Sequence, residues 1–311
     1  MTDRQLMFFN PVFKEKIWGG NKLREIFGFN TQKENIGECW AISAQPGSES
    51  TCTTKGYEGK MVSELWNEAP ELFGRYDSDR FPLLVKFIDA KEDLSIQVHP
   101  SDEYARVHEN GSLGKQECWY VCNAPEGEHV ILGHNATTRE EFNALVDSKR
   151  YDKLLCLKSI KKSDFVKIEP GTIHAIMAGT MVLEIQQNSD VTYRFYDYDR
   201  LENGKPRALH LEKAKEVINV PETNGFVYST SDEAGIHELY SCKYFSVSKI
   251  NVKDSLSFDT KDAFFYTVTC VEGSGEADGT PVCAGSNFIV PNGYGTVNFT
   301  GNMTLVVSKP E

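Results

Sequence analysis

The sequence predicts a mainly β protein, organised as an all-β barrel or sandwich. Short runs rich in Val, Ile, Phe, Tyr and Thr recur along the 311 residues, and Gly and Pro separate them. Short strands divided by turn residues in this way are typical of barrels and sandwiches. Helical periodicity is confined to a few brief segments. With 40% hydrophobic residues, a chain of this length can bury a large core.

The predicted strands are the runs in which β-branched and aromatic residues dominate, because such side chains pack well on a pleated surface. Each run ends at or near a Gly, Pro or polar turn residue, which predicts tight connections. The clearest runs are "FPLLVKFIDA" (81–90), "LSIQVH" (94–99), "ECWYVCN" (117–123), "HVILGH" (129–134), "FVKIEPG" (165–171), "MVLEIQQ" (181–187), "VTYRFYDY" (191–198), "YFSVSKINV" (244–252) and "FFYTVTCVEG" (264–273).

Helices are predicted as short decorations of the β framework. The clearest signal is "TTREEFNALVDS" (137–148), which opens with a Thr-x-x-Glu capping box at Thr138 and Glu141. Its apolar residues recur at helical spacing. The other predicted helical segments are residues 19–28, 60–74, 149–162 and 210–218.

A polar, turn-rich segment, "NVPETNGFVYSTSDEAG" (219–235), is predicted to be a linker. The sequence after it is again rich in predicted strands. We therefore expect two domains, a larger one at residues 1–220 and a smaller β domain at 225–311.

The charge of the chain excludes some classes of partner. The formal net charge is -12 at pH 7, which argues against binding to nucleic acid or to an anionic membrane. The first residues do not resemble a secretory signal, and no run approaches the roughly 18 apolar residues that span a bilayer. Eight cysteines are scattered without CxxC spacing, which is typical of reduced thiols. A soluble cytoplasmic protein is expected.

One predicted strand carries polar residues where a core face would carry apolar ones. In "DLSIQVHPSDEYA" (93–105), strand alternation places Ser95, Gln97 and His99 on one side. Pro100 then ends the strand. A hydroxyl, an amide and an imidazole in a row are unexpected on a face that would otherwise join the core.

Three residues at strand ends form a candidate metal site. His99 precedes Pro100, His174 follows Pro170–Gly171, and Glu117 begins an apolar strand. A buried carboxylate without a partner is costly, so Glu117 calls for a cation. A set of two imidazoles and a carboxylate suits zinc, and iron or manganese also accept it. Each residue alone would more often be a solvated strand end, so the prediction depends on all three together.

The segment "NSDVTYRFYDYDR" (188–200) adds an acid and a guanidinium. In a strand, Asp190, Thr192 and Arg194 share a face, so Asp190 and Arg194 could point together into a barrel mouth. The pattern alone slightly favours a simpler explanation, a surface ion pair on a strand backed by aromatic residues.

Six stretches, in order, resemble type I mannose-6-phosphate isomerase (phosphomannose isomerase) in its short bacterial form, a zinc-dependent family of the cupin superfamily. They cover most of residues 8–210, while the C-terminal hundred residues match only in general character. The stretches are "PVFKEKIWGG" (11–20), "IGECWAIS" (36–43), "FPLLVKFIDAKEDLSIQVHP" (81–100), "GKQECWY" (114–120), "PGTIHAI" (170–176) and "LEIQQNSDVTYRFYDYDR" (183–200).

The resemblance implies a fold and a set of roles. The expected fold is a metal-bearing cupin (jelly-roll) barrel with helical decorations, followed by a smaller, degenerate cupin-like β domain. The implied ligands of one Zn²⁺ per chain are His99, Glu117 and His174, with Gln97 as a weaker fourth candidate. The other implied site residues are Arg194, Lys115 and Asp190, assigned to catalysis, and Ser95, assigned to substrate binding.

One departure from the family pattern limits this transfer. Longer members often carry a His directly before the lysine that corresponds to Lys115, and this chain has Gly114. Any acid–base role of that His has no counterpart here.

The implied activity is the interconversion of mannose 6-phosphate and fructose 6-phosphate through a cis-enediolate, with a phosphosugar as the small-molecule partner. Two alternatives stay open at this point. One is a different metal-dependent cupin enzyme, such as a dioxygenase. The other is a cupin that binds sugar without turning it over.

Overall fold

The computed structural model describes residues 5–222 and 225–311, and strands dominate them. The mainly β prediction is confirmed. The strands are β1 (Met7–Asn10), β2 (Val12–Gly20), β3 (Ile36–Ile42), β4 (Thr51–Cys52), β5 (Leu83–Asp89), β6 (Ile96–Val98), β7 (Glu117–Asn123), β8 (His129–His134), β9 (Leu155–Ser159), β10 (Asp164–Ile168), β11 (His174–Ala175), β12 (Met181–Gln187), β13 (Tyr193–Tyr196), β14 (Leu201–Glu202), β15 (Lys205–Pro206), β16 (Phe226–Ser229), β17 (Gly235–Ser241), β18 (Phe245–Asp259), β19 (Tyr266–Ala277), β20 (Thr280–Cys283), β21 (Asn287–Val290) and β22 (Thr296–Pro310).

Helices are short, as the sequence predicts. They are α1 (Lys22–Phe27), α2 (Val62–Glu68), α3 (Asp102–His108), α4 (Arg139–Asp147), α5 (Tyr151–Leu154) and α6 (Leu211–Val217), with a 3-10 turn at Pro70–Phe73. At the start of α4, the Thr138 side chain accepts a hydrogen bond from the Glu141 N–H, as the capping box predicts. The Glu141 carboxylate reaches back to Thr137 instead of Thr138. None of the described helices is long and apolar enough to cross a membrane.

Two antiparallel sheets form the N-terminal barrel. A seven-stranded sheet has the order β16-β10-β7-β12-β5-β3-β2, and a five-stranded sheet has the order β13-β6-β11-β8-β9. Apolar side chains of β5, β7, β10 and β12 meet those of β8 in one buried cluster, which includes Trp119, Val121, Val182 and Leu132. This cluster fills the space between the sheets. Helices α4, α5 and α6 cover the outer face of the five-stranded sheet through a second cluster.

The C-terminal part is built on an eight-stranded antiparallel sheet with the order β17-β18-β22-β19-β21-β1-β4, in which β20 pairs with β19. Its interior is apolar, with buried Phe258, Phe288 and Phe299. A further large cluster joins this sheet to the other face of the seven-stranded sheet, where Phe87 and Leu183 lie. The two sheets are therefore packed through a continuous apolar layer.

The predicted linker is only partly irregular. Residues 226–229 form β16, which pairs with β10 at the edge of the seven-stranded sheet. In the other direction, β1 from the N-terminus pairs with β21 of the C-terminal sheet. Residues 223 and 224 of the linker, and residues 1–4 of the first predicted domain, lie outside the described residues. The division into 1–220 and 225–311 stays a prediction.

One predicted helix is partly wrong. The segment 149–162 contains the short helix α5, but its second half is the strand β9, which pairs with β8. The helix α3 was not predicted at all.

Candidate active site and metal centre

Three buried side chains converge at one end of the N-terminal barrel. Glu117 begins β7 of the seven-stranded sheet, His174 begins β11, and His99 directly follows β6 of the five-stranded sheet. All three are buried, and one ligand atom from each lies within 4.8 Å of the others. His174 Nε2 is 3.3 Å from Glu117 Oε1, and His99 Nε2 is 3.4 Å from Glu117 Oε2. The two sheets thus bring together residues that are distant in sequence.

The backbone fixes the orientation of both imidazoles. His99 Nδ1 lies 3.0 Å from the Val191 carbonyl oxygen, and His174 Nδ1 lies 2.9 Å from the Thr172 carbonyl oxygen. A carbonyl can only accept, so each Nδ1 carries the proton and donates it. Each Nε2 therefore presents a lone pair to Glu117. This is the arrangement that fixes the tautomer of histidine ligands in metal sites.

Burial keeps both imidazoles neutral. It lowers the pKa of His174 to about 4 and lowers the pKa of His99 well below its usual value. Burial, together with the Glu184 carboxylate, raises the pKa of Glu117 to about 7. Glu117 Oε1 and His174 Nε2 are buried without a hydrogen-bond partner. Unsatisfied acceptor atoms that converge in this way fit a divalent cation.

Lys115 is the cation nearest to this set. Its Nζ lies 2.5 Å from Glu117 Oε2, 3.0 Å from His99 Nε2 and 3.4 Å from Glu184 Oε1. The side chain is only 3% exposed. Lys115 is thus brought together with the candidate ligands, as the sequence predicts.

The sequence analysis missed a second buried ion pair beside this group. Lys86 on β5 lies directly opposite Glu184 on β12, and their charged atoms are 3.0 Å apart. Glu184 also accepts a hydrogen bond from the Trp119 indole at 2.9 Å. Burial disfavours the Lys86 charge, but Glu184 and Glu38 outweigh it and raise the pKa of Lys86. The signal was available, because Lys86 and Glu184 interrupt otherwise apolar strands.

The buried carboxylates beside the candidate ligands have cationic partners. Glu38 pairs with Lys16 at 3.3 Å, and Glu184 pairs with Lys86 at 3.0 Å. Lys115 is shared between Glu117 and Glu184. It is therefore the donor geometry that favours a metal ion at this site.

Arg194 and Gln97 continue the site along the five-stranded sheet. Arg194 on β13 lies opposite Gln97 on β6, and Gln97 lies opposite His174 on β11. Arg194 is partly buried, and its Nε atom is buried with no hydrogen-bond partner. Ser95 is buried just before β6, two residues from Gln97. The polar strand face that the sequence indicated therefore borders the three candidate ligands.

Asp190 occupies a different position from the one expected. It lies exposed before β13, and among residues 5–222 and 225–311 no ion pair joins it to Arg194. The Arg194 guanidinium instead donates a hydrogen bond to the Ala208 carbonyl at 2.7 Å. The charge of Asp190 acts on Lys86, whose pKa it helps to raise. The shared face of Asp190 and Arg194 was inferred from a strand that begins only at Tyr193.

The presence of glycine at position 114 has a structural explanation. A Cβ atom at this position would lie 2.4 Å from the Asp102 nitrogen and 2.5 Å from the Ser101 carbonyl carbon. The Gly114 N–H also donates to the Asp102 carboxylate at 2.7 Å. A histidine before Lys115 therefore has no room in this backbone conformation.

Comparisons with known proteins agree with this architecture. The model of the type I phosphomannose isomerase catalytic domain matches residues 6–132, and the model of the mannose-6-phosphate isomerase cupin domain matches residues 235–310. The apo crystal structure of mannose 6-phosphate isomerase from Salmonella typhimurium has a TM-score of 0.75 at 15% identity, covering 98% of this chain and 99% of that chain. At this identity the likeness shows the fold alone. The cupin prediction is confirmed.

Relatives of similar length and higher sequence identity show the family of the chain as well as its fold. Mannose-6-phosphate isomerase ManA of Bacillus subtilis is 43% identical over 97% of this chain and 98% of that protein. Mannose-6-phosphate isomerase of Streptococcus mutans is 38% identical over 97% of both. The crystal structure of the Bacillus subtilis mannose 6-phosphate isomerase has a TM-score of 0.92 at 44% identity, covering 97% of this chain and 99% of that chain. Because this identity extends over nearly the whole chain, the protein belongs to the type I phosphomannose isomerase family of enzymes, as its motifs predicted.

Proposed function

We propose that this enzyme interconverts mannose 6-phosphate and fructose 6-phosphate through a cis-enediolate and uses one Zn²⁺ per chain. The observation that carries the proposal is the buried convergence of His99, Glu117 and His174 beside Lys115. Two imidazoles and one carboxylate are a donor set that zinc accepts, and three protein ligands leave positions for water or substrate. Gln97 is the candidate for a fourth ligand, because it lies next to His174 across the strands.

The reaction moves a proton between C1 and C2 of the sugar, and its difficulty is the negative charge that develops on oxygen. When bound, the zinc ion supplies Lewis-acid polarisation of the substrate carbonyl. The chain itself supplies fixed positive charge. Arg194 has a buried Nε–H without a partner, which is available to an oxyanion of the substrate.

Lys115 is the second source of positive charge and a candidate for proton transfer. Its ammonium group has three donors, and the structure already directs them toward Glu117, His99 and Glu184. Glu184 pairs with Lys86 as well, so it holds both ammonium groups at the site. Lys115 stabilises the developing oxyanion or transfers the proton, and Glu184 positions it.

Ser95 and Asp190 act at the edge of the site. The Ser95 hydroxyl donates a hydrogen bond to the substrate phosphate. Ser95 shares a strand side with Gln97 and His99, and it lies farther along the strand from the ligand His99 than Gln97 does. Asp190 is exposed and carries a charge that reaches Lys86. It assists opening of the sugar ring, where an exposed carboxylate can accept a proton.

The test is an assay of the purified protein for fructose 6-phosphate formation from mannose 6-phosphate, before and after treatment with a chelator. Turnover that is lost with the metal and restored by zinc supports the proposal. Oxygen consumption with an organic substrate would favour a dioxygenase instead. Saturable phosphosugar binding without turnover, in protein with its full metal content, would favour the non-catalytic alternative.

A further inference from the structure

Arg194 is held by the segment that follows the β14–β15 hairpin. The His210 N–H donates a hydrogen bond to the Arg194 carbonyl at 2.8 Å, and the Arg194 N–H donates to His210 Nδ1 at 3.2 Å. The Ala208 carbonyl accepts from the Arg194 guanidinium at 2.7 Å. Backbone and side chain of one arginine are thus fixed by two residues of the same segment.

The contact with the imidazole requires one protonation state. A backbone N–H can only donate, so Nδ1 of His210 must present its lone pair, and in the neutral ring the proton resides on Nε2. The charged groups near the ring are Arg194 of β13, Lys213 of α6, and Glu109 after α3. Burial and the charges of Arg194 and Lys213 lower the pKa of His210, which keeps Nδ1 unprotonated at neutral pH.

The segment that carries His210 is itself anchored. Asp197 accepts hydrogen bonds from Arg200 at 2.6 Å and from Arg207 Nε at 2.7 Å. These two arginines flank the β14–β15 hairpin, so Asp197 closes its base. At its other end the segment enters α6, whose first turn is bonded to the His210 carbonyl. The backbone that carries His210 is therefore held on both sides.

The position of Arg194 on β13 matters because its neighbours across the sheet belong to the candidate site. Gln97 is its neighbour across β6, and His174 is the next residue across β11. A displacement of about 1 Å in a group that contacts the reacting atoms can cost up to about 100-fold in rate. A residue that fixes β13 at Arg194 can thus influence turnover without contact with the substrate.

We infer that His210 is a positioning residue for Arg194, and that it acts through the lone pair of Nδ1. The inference depends on the role of Arg194 proposed above. It adds a residue that lies outside the motifs of the metal site.

The first test compares His210→Ala with His210→Asn, because the Asn Oδ1 atom can take the place of Nδ1 as an acceptor that does not titrate. At neutral pH we expect kcat to fall about 10-fold in His210→Ala, with a smaller change in KM, and to recover most of that loss in His210→Asn. His237→Ala on β17 is the matched control and should retain wild-type kcat. Equal losses in the Ala and Asn variants would overturn the inference.

The second test is a double-mutant cycle with Arg194→Ala. If His210 acts through Arg194, His210→Ala should lower kcat by less than about 2-fold in the Arg194→Ala background. The same 10-fold loss in both backgrounds would mean that His210 has an independent structural role, which overturns the inference and leaves the proposed role of Arg194 intact. Near-normal kcat in Arg194→Ala alone would overturn both.

The third test observes the hydrogen bond directly. In ¹⁵N-arginine-labelled full-length protein, we expect the Arg194 amide resonance to shift with the same midpoint, below pH 6.5, as the His210 ring. The shift arises because protonation of Nδ1 removes the acceptor. It should be absent in His210→Asn. An Arg194 amide that does not respond to His210 titration would contradict the inference.

Discussion

The Nζ atom of Lys115 lies 2.5 Å from Glu117 Oε2, inside the group of atoms that fits a metal ion. The same ammonium is 3.0 Å from His99 Nε2. Lys115 and a divalent cation therefore compete for the same lone pairs. In the proposed role, a lysine so close to the candidate metal site delivers charge or a proton to a substrate held there, but it does not help the metal to bind.

This relationship predicts opposite effects of Lys115→Met on metal content and on turnover. Because a competing positive charge is removed, the variant should bind zinc at least as tightly as the wild type. Its kcat should fall by about 100-fold or more, the scale of a lost oxyanion donor. Isothermal titration with zinc and steady-state assays measure the two quantities, and Lys158→Met, at an exposed position, is the control. Weaker zinc binding in Lys115→Met would contradict the competition.

Removal of a single imidazole should empty the metal site. His99→Ala is expected to lose bound metal because affinity depends on the complete ligand set. Elemental analysis should find one metal ion per chain in the wild type and in His237→Ala, and almost none in His99→Ala. Added zinc should raise the Tm of the wild type but not of His99→Ala, since only a folded state that binds the ion is stabilised. Full zinc content in His99→Ala would remove His99 from the ligand set.

Replacement of Arg194 distinguishes a catalytic role of this residue from a purely structural one. Its carbonyl-bound guanidinium is partly exposed, so Arg194→Ala should lower the free energy of unfolding by only about 1 kcal/mol. We expect kcat to fall by about 100-fold or more, while metal content stays unchanged. Arg194→Lys should recover only part of the rate, because an ammonium cannot reproduce the planar fork. A folded, metal-loaded Arg194→Ala enzyme with near-normal kcat would exclude Arg194 from the mechanism.

The lowered pKa of Asp197 predicts how the stability of the fold depends on pH. Burial favours its neutral form, but hydrogen bonds from Arg207 and Arg200 outweigh burial and lower the pKa of Asp197. A depressed carboxyl pKa stabilises the fold above the unfolded pKa of about 4, and the contribution is lost as pH falls through the folded value. At pH 7, Asp197→Asn should therefore lower the free energy of unfolding by about 2 to 3 kcal/mol, somewhat below the cost of breaking a fully buried pair.

Chemical denaturation at pH 7 and pH 3 measures this difference. The gap between wild type and Asp197→Asn should shrink at pH 3, because this pH lies below the unfolded pKa of about 4, where the contribution of a lowered folded pKa declines. The control is Asp152→Asn, which breaks an exposed pair with Arg150 and should leave the free energy of unfolding nearly unchanged at both pH values. A gap of equal size at both pH values would refute the assignment of the charge to Asp197.

The positions of the buried strands were predictable because each contains a run of apolar and β-branched residues that is visible in the local sequence. The run "MVLEIQQ" corresponds to β12 residue for residue, and "HVILGH" corresponds to β8. The strand β9 was mistaken for helix because its residues are mostly exposed, so no alternation of burial marks it. Its pairing with β8 decides its conformation, and such a long-range contact is invisible in the local sequence.

The helix α3 was missed for a related reason. Only Ala105 of its seven residues is buried, so the segment has no apolar stripe. The local signals were nevertheless present: Ser101 caps the first turn, Asp102 and Glu103 follow it, and His108 lies in the last turn. Capping chemistry would have found this helix where periodicity could not.

The site was predictable as a set of residue types but not as a geometry. Strand-end positions indicated His99, Glu117 and His174, and the structure brings them together. Lys86 and Glu184 were overlooked as a pair because only the pairing of β5 with β12 places them opposite each other. The prediction that Asp190 and Arg194 share a strand face was wrong because the start of β13 was placed too early.

The most direct test of the central claim is a zinc titration of metal-free enzyme with fructose 6-phosphate formation as the signal. A metal site built by His99, Glu117 and His174 predicts that activity rises in proportion to added zinc and reaches a plateau at one equivalent per chain. His99→Ala, treated in the same way, should stay inactive throughout. Full activity in metal-free protein, or a plateau that His99→Ala also reaches, would contradict the account.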